Sequence, residues 1–388
     1  MSSAAQDPAG RERAGGDADR VGDRFRRYQA GMSAGGDPAG DPLRGRPGAT
    51  PGRGSAGGRG RGGGRGGRGE QPAVPPAEFT SYHGRPVLKA PVWTRDIPAY
   101  LFTGGLSSGA ALLAAGGDLT GRTALRRAGR LTALGAIGAS TYFLIADLGR
   151  PARFHHMLRV AKPTSPMSVG TWILSVFGPA AGIAAIAEAA PLLPRRGPLG
   201  LVRRLLPGAG RAAGLVSATT APALATYTAV LLADTAVPSW HEAYPYLPFV
   251  FAGSALASGA GSALIAVAPQ QAGPARRLAV AGAALELAGA HRIERRLGLL
   301  SEPYRTARAG RLLHAGRALT AAGVAGALLG RRSRAVSALS GAALLAASVV
   351  TRFGLYEGGV ASARDPRYTV MPQRRRRDAR TAAGTAPQ

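Results

Sequence analysis

The chain has no cysteine among its 388 residues. That absence excludes disulfides, thiolate zinc sites, Cys-ligated iron–sulfur clusters and covalently attached haem from this polypeptide, so any such centre belongs to a partner. Lysine occurs only at positions 89 and 162, and the formal charge of +28 is therefore carried by arginine. Because the apolar segments are equally biased toward Ala, Gly and Leu, the arginine excess reads as GC-rich codon usage and not as a ligand code. Before residue 98 there is no hydrophobic run, which argues against a cleavable secretory signal.

A mean hydropathy of +0.01 averages two unlike regions. Residues 1–78 contain GGRGRGGGRGGRGE and repeated DPAG, and Phe25 and Tyr28 are the only rings in the first seventy residues. Such a segment has too little apolar surface to offset chain entropy and is expected to be a disordered tail. An RGG-like tract also invites a nucleic-acid reading, but the scarcity of rings favours a solvated tail beside an anionic membrane surface; no nucleic-acid partner is expected. Residues 79–97, with Tyr82, His83, Pro86, Pro91, Trp93 and Asp96, form a short lead-in. Beyond it lie eight apolar runs, near 98–117, 128–147, 168–190, 212–236, 246–268, 276–294, 312–330 and 335–356, each about as long as a bilayer crossing requires. Gly, Pro or Arg closes each one. Small residues four apart, Gly105 with Gly109 and Gly135 with Ala139, allow close helix packing in lipid. The expected fold is all-α: a polytopic membrane protein of eight transmembrane helices, packed as two four-helix halves over 79–360, with a basic tail at 361–388.

Eight crossings return both ends of the chain to one face. On that face fall Trp93, Trp172 and Trp240, together with Tyr82, Tyr100, Tyr142, Tyr227, Tyr244, Tyr246, Tyr304 and Tyr356. An anchoring belt occupies both interfaces, so this one-sided distribution marks a face with a further task. Basic loops occur on both sides. The long basic tail and Arg374–Arg377 favour cytoplasmic termini.

Ionisable groups in the apolar runs are costly and point to function. Asp147 ends the second run with Tyr142 one turn and more before it and Arg150 just after, which allows either a ligand-facing acid or a helix-end salt bridge. In the fourth run Thr220, Tyr227 and Asp234 are seven residues apart and share a face, although Asp234 lies close enough to the edge to be solvated. Glu286 is mid-run in the sixth, where a carboxylate costs about 2.5–3.5 kcal/mol on insertion scales. His155 and His156 read as interfacial. A phenol and carboxylates facing one cavity suit a neutral ligand that takes up and releases protons.

At DLGRPARFHHMLRVAKPTSPMSVGTW (147–172), YTAVLLADTAVPSW (227–240) and ERRLGLLSEPYRTARAGRL (294–312), the chain resembles the NrfD/PsrC family. These are membrane subunits of polysulfide-reductase-type and related molybdopterin oxidoreductases; YHGRPVLKAPVW and DIPAY fit as well, and the resemblance covers about residues 79–360. It implies eight helices, no haem or iron–sulfur cluster in this chain, and a quinone site, menaquinone by preference, near the face that docks a ferredoxin-like 4Fe–4S subunit. Tyr227 matches the family's quinone-contacting tyrosine, although its motif here reads YTA where Gly is usual at position 229. Asp147 and Arg150 match the DLGRP motif at the mouth of the site, while Tyr100 and Asp96 are the candidates for a first-helix contact. The implied function is exchange of electrons between a quinone pool and the iron–sulfur partner of a molybdopterin catalytic subunit, of formate dehydrogenase or polysulfide reductase type. Tyr227, Asp147 and Glu286 would do the chemistry, and Arg150, Tyr142, Asp234 and Trp172 would line the site; no metal ligands are expected. The rival reading is a proton or solute transporter, whose mark would be midplane sites in repeated, broken helices.

Overall fold

A computed structural model describes residues 87–384, with side chains through 381; the expected tail at 1–78 and the Tyr82–His83 part of the lead-in lie outside the described residues. Regular structure among them is entirely helical. The long helices are α1 (Asp96–Leu119), α2 (Thr123–Asp147), α3 (Pro166–Ile186) and α4 (Gly197–Ala233), then, after the short α5 (Pro238–Glu242), α6 (Leu247–Ala266), α7 (Gly273–Arg296), α8 (Ala307–Leu329) and α9 (Arg334–Arg364), followed by α10 (Arg367–Gly384). Each of the eight runs thus coincides with a long helix. Six of these, α1, α3, α4, α6, α8 and α9, are long and apolar enough to cross a membrane. The expected eight is not reached on this measure, because α2 opens with Arg126, Arg127 and Arg130 and α7 carries Arg276, Arg277, Glu286 and a charged last turn.

Helix α4 also begins fifteen residues before the run that predicted it. Pro198 sits in its first turn, where a missing N–H costs nothing, and the helix continues through Pro207 and Pro222 for 37 residues. At 1.5 Å per residue it is roughly 55 Å long, far more than the ~30 Å apolar layer of a bilayer. Its first turns therefore extend past the level at which α3 ends.

In the first half of the bundle α1 packs on α2, α3 on α4, and α1 on α4; in the second, α6 packs on α7, α8 on α9, and α6 on α9; the two are not closed units, because α4 also packs on α6 and α9 on α1. The halves join where α1 crosses α6. A Cβ on Gly109 would stand 2.0 Å from the Ala255 carbonyl oxygen, and one on Gly259 would stand 2.3 Å from the Gly109 carbonyl carbon. Only glycine permits that approach, and close backbone contact is what drives helix association in lipid. The other expected small-residue pair does not pack: Gly135 faces outward with nothing within 4 Å of a Cβ, because the inward stripe of α2 runs through Ala133, Ala136, Ile137 and Ser140.

Three of the one-sided rings meet. Trp93 stacks on Trp240 at 5.9 Å between centroids, Trp240 tilts against Tyr356 at 5.7 Å, and the Tyr356 hydroxyl donates to the Trp93 carbonyl at 2.5 Å. Trp240, fully enclosed, donates Nε1–H to Leu355 O at 2.8 Å. These contacts hold the start of α1, the α4–α6 connection and the last third of α9 on one side, as an even number of crossings requires. For these three rings the further task is structural.

Gly109→Val should lower the apparent melting temperature in detergent by several degrees, since overpacking a close contact costs about 1–3 kcal/mol, while Gly135→Val should leave it nearly unchanged. Equal shifts in a thermal-unfolding assay would move the seam elsewhere.

Candidate functional site

Helix α4 turns Ala221, Leu224, Thr228 and Leu232 inward, and Tyr227 lies on that same face, 7% exposed. Its ring occupies the space that Gly170 of α3 leaves: a Cβ there would fall 2.1 Å from Tyr227 Cε2. The hydroxyl is enclosed and has no hydrogen-bond partner among the described residues. An unpaired buried hydroxyl costs about 1–3 kcal/mol, so this phenol is an unmet demand for an acceptor or donor. Tyr100 of α1 belongs to the same buried cluster, with Phe143, Leu144 and Ile173 packed against it.

At the edge of the bundle, Asp147 closes α2. Its Oδ1 accepts from the Thr94 backbone N–H at 3.0 Å and lies 2.8 Å from Thr94 Oγ1, which also lies 3.0 Å from Asp96 Oδ2. Two carboxylates thus converge on one threonine. No ion pair joins Asp147 to Arg150 among the described residues; Arg150 is exposed at the start of the 3-10 helix Pro151–Arg159. His155 and His156 are exposed on that helix, edge to face at 4.4 Å.

The remaining expected contacts are dispersed. Trp172 is half exposed and donates Nε1–H to Val160 O at 3.2 Å, while Ser168 Oγ donates to the same carbonyl at 2.8 Å. Trp172 therefore straps the 149–165 loop to α3. Tyr142 points outward, 67% exposed, against Phe143. Asp234 is exposed at the end of α4 in an open cleft of about 710 Å³, with His241, Glu242, Tyr368 and Arg376. The seven-residue spacing did not place it beside Tyr227: two turns separate them, about 10 Å along the axis, and Asp234, whose N–H bonds Val230 O at 2.8 Å, stands at the open end of α4.

Glu286 belongs to the other half. It is buried in α7 beside Arg352 of α9 and lines a cavity of about 30 Å³ with Thr351, Tyr304, Glu294 and Arg317. That volume holds about two waters. Glu294 and Arg317 form an ion pair toward the edge. Tyr304, in the 3-10 helix Gly298–Tyr304, has an enclosed hydroxyl without a partner, and burial raises its phenol well above the ordinary value. Arg352, 1% exposed, donates to Phe251 O at 2.8 Å with its guanidinium 3.7 Å from the Phe251 ring centroid.

Sequence reasoning missed Arg352, although an arginine inside an apolar run was visible. It also missed the charge cluster at the opposite end of the first half. There Glu188 accepts from Arg126 Nε at 2.8 Å and Arg130 Nη1 at 2.9 Å, and Asp118 lies within 3.5 Å of both arginines and 3.7 Å of Arg211. The signal was two acids, in GGD and AEAAP, at the same end as RRAGR.

Residues 83–281, about half of the chain, match the profile of the family described as Polysulphide reductase, NrfD. The chain belongs to the NrfD family. Among curated proteins it is similar to the C subunit of the polysulfide reductase of Wolinella succinogenes, 31% identical over 184 residues, which are 45% of this chain and 57% of that protein. The chain thus spans just over half of that relative's length. Family and apolar helices together make it a multi-pass membrane protein. Tyr142, Asp147, Arg150, Trp172, Tyr227 and Asp234 fall inside the NrfD match, and Glu286 falls beyond it.

Thr94→Val removes the hydroxyl shared by Asp96 and Asp147. Loss of one such bond costs about 1 kcal/mol, so amide hydrogen exchange at 94–97 should quicken about fivefold; unchanged exchange would show that the threonine does not hold this corner.

Proposed function

We propose that this NrfD-family chain is the quinone-reactive membrane subunit of an oxidoreductase complex. It exchanges electrons between the menaquinone pool and a ferredoxin-like 4Fe–4S partner that serves a molybdopterin catalytic subunit of formate dehydrogenase or polysulfide reductase type. The observation that carries this reading is the enclosed, unpartnered Tyr227 hydroxyl, inside the part of the chain that matches the family. A phenol held by packing in a dry site is a fixed donor for a carbonyl oxygen, which fits a quinone headgroup.

A bound quinone supplies the redox chemistry, taking two electrons and two protons to become quinol. Tyr227 donates its O–H to one quinone oxygen and orients the ring. Asp147, half-buried at the edge and held by Thr94, takes protons from water and returns them. Exposed Arg150 keeps the mouth positive. Glu286, with the two-water cavity beside it, offers a second proton-holding group in the other half. With no cysteine in the chain, the electrons come from the partner's cluster. Both termini lie on the cytoplasmic side in this reading: the Trp93–Tyr356 bond keeps the start of α1 and the last third of α9 on one face, and the basic run Arg374–Arg377 favours the cytoplasm for that face. Of the proton or solute transporter alternative, the solute form is less well supported: buried Glu286 lines a space for water only, too small for a solute.

Tyr227→Phe keeps the ring and removes only the hydroxyl. In the assembled complex it should lower quinone turnover about a hundredfold, and Tyr142→Phe, whose ring points outward, should leave the rate within twofold. A Tyr227→Phe complex that reduces quinone at the parental rate would remove the assignment.

A further inference from the structure

The two halves meet the same electrostatic problem at the end of the bundle opposite the tryptophans, and they resolve it differently. In the first half, Arg126 and Arg130 at the start of α2 are matched by Asp118 and Glu188. In the second half, Arg276 and Arg277 stand at the start of α7, and the turn between α8 and α9 brings Arg331 against them. The cleft they line, about 520 Å³, has no carboxylate among its described lining residues. Nor does either loop that forms it, APQQAGPARR at 268–277 or LLGRRSRA at 328–335, contain an acid. Arg276 spends Nη2 on the carbonyls of Pro269 at 2.8 Å and Arg331 at 3.2 Å, and its Nε is enclosed without a partner. Arg277 and Arg331 are exposed. Three guanidiniums held together with no internal counter-charge repel one another unless an anion is supplied from outside. The start of α7 adds the positive end of its own dipole.

The rest of the cleft decides which anion. Val280, Ala281 and Ala284 of α7 and Leu328 of α8 continue it as an apolar wall. A free phosphate would leave that wall wet, whereas a lipid would cover it with an acyl chain. We propose that this cleft is a binding site for an anionic phospholipid, with Arg277 and Arg331 on the phosphate oxygens, Arg276 behind them, and an acyl chain along Val280 and Ala284.

The delipidated chain in detergent is titrated with phosphatidylglycerol, phosphatidylcholine or inorganic phosphate, and bound lipid is read by native mass spectrometry alongside the melting temperature. Phosphatidylglycerol should bind and stabilise, phosphatidylcholine should bind at least tenfold more weakly, and millimolar phosphate should neither stabilise nor compete. At about 1 kcal/mol per surface arginine, Arg277→Gln and Arg331→Gln should each weaken phosphatidylglycerol about fivefold; both side chains are exposed, so neither change disturbs the interior. Arg211→Gln, in the acid-matched cleft of the first half, should leave this affinity unchanged. Equal binding of phosphatidylcholine, stabilisation by phosphate alone, or unaltered phosphatidylglycerol affinity in both single variants would overturn the site.

Discussion

At Gly109 and Gly259 two helices approach until backbone touches backbone, and the arrangement of the other helices follows from that contact. Lipid offers no hydrophobic drive for helices to associate, so the seam has to come from close packing. Around α1 and α6, α2 packs on α1 and α7 on α6, while α4 and α9 each touch both members of the central pair. One buried cluster runs through both sets of helices, from Tyr100 and Tyr227 to Phe251, Tyr304 and Leu355. Glu286 and Arg352 lie toward the α6–α9 side of it, with the Arg352 guanidinium reaching Gly105 of α1.

Helical periodicity and punctuation located all eight long helices, because apolar runs of some twenty residues between Gly, Pro and Arg leave few alternatives. The resemblance carried by DLGRP and YTAVLLAD correctly indicated the family. What spacing could not supply was direction. Tyr142 is five residues before Asp147, yet a helical step of 100° per residue sends its ring outward while Asp147 reaches Thr94. Asp234 keeps the register of Tyr227, but two turns further along it stands exposed at the end of α4. Trp172 was read as a ligand contact from its place beside the motif, but its indole N–H is taken by the loop that the motif forms.

Arginine was harder to read for a different reason. Where codon bias makes every base an Arg, residue type no longer separates a solvated charge from a buried one. Arg352 and Arg130 are enclosed, whereas Arg150 and Arg277 are exposed, and nothing in the local composition distinguishes them. The acids do. With so few in the chain, each one inside the bundle marks where a base must be neutralised: Asp118 and Glu188 mark Arg126 and Arg130, and Glu286 marks Arg352.

The Tyr227 hydroxyl is shut off from solvent as well as unpaired, so a ligand reaches it only if the bundle yields locally. The packing indicates where. On the α3 side the tyrosine ring faces Gly170, which has no side chain to lock it in place, and the side chains that tie the turns around it to the preceding loop are Ser168, which donates to Val160 O and accepts from Lys162 N–H, and Trp172, which donates to Val160 O. On the inner side, Leu224 and Leu232 are fully buried, and movement there would open the core. Displacing the α3 start costs a few exposed or half-exposed hydrogen bonds, each about 1 kcal/mol; displacing the core face costs several buried side chains at about 1.5–3 kcal/mol each. If a quinone binds at Tyr227 as proposed, the cheaper route to it runs past the 149–165 loop.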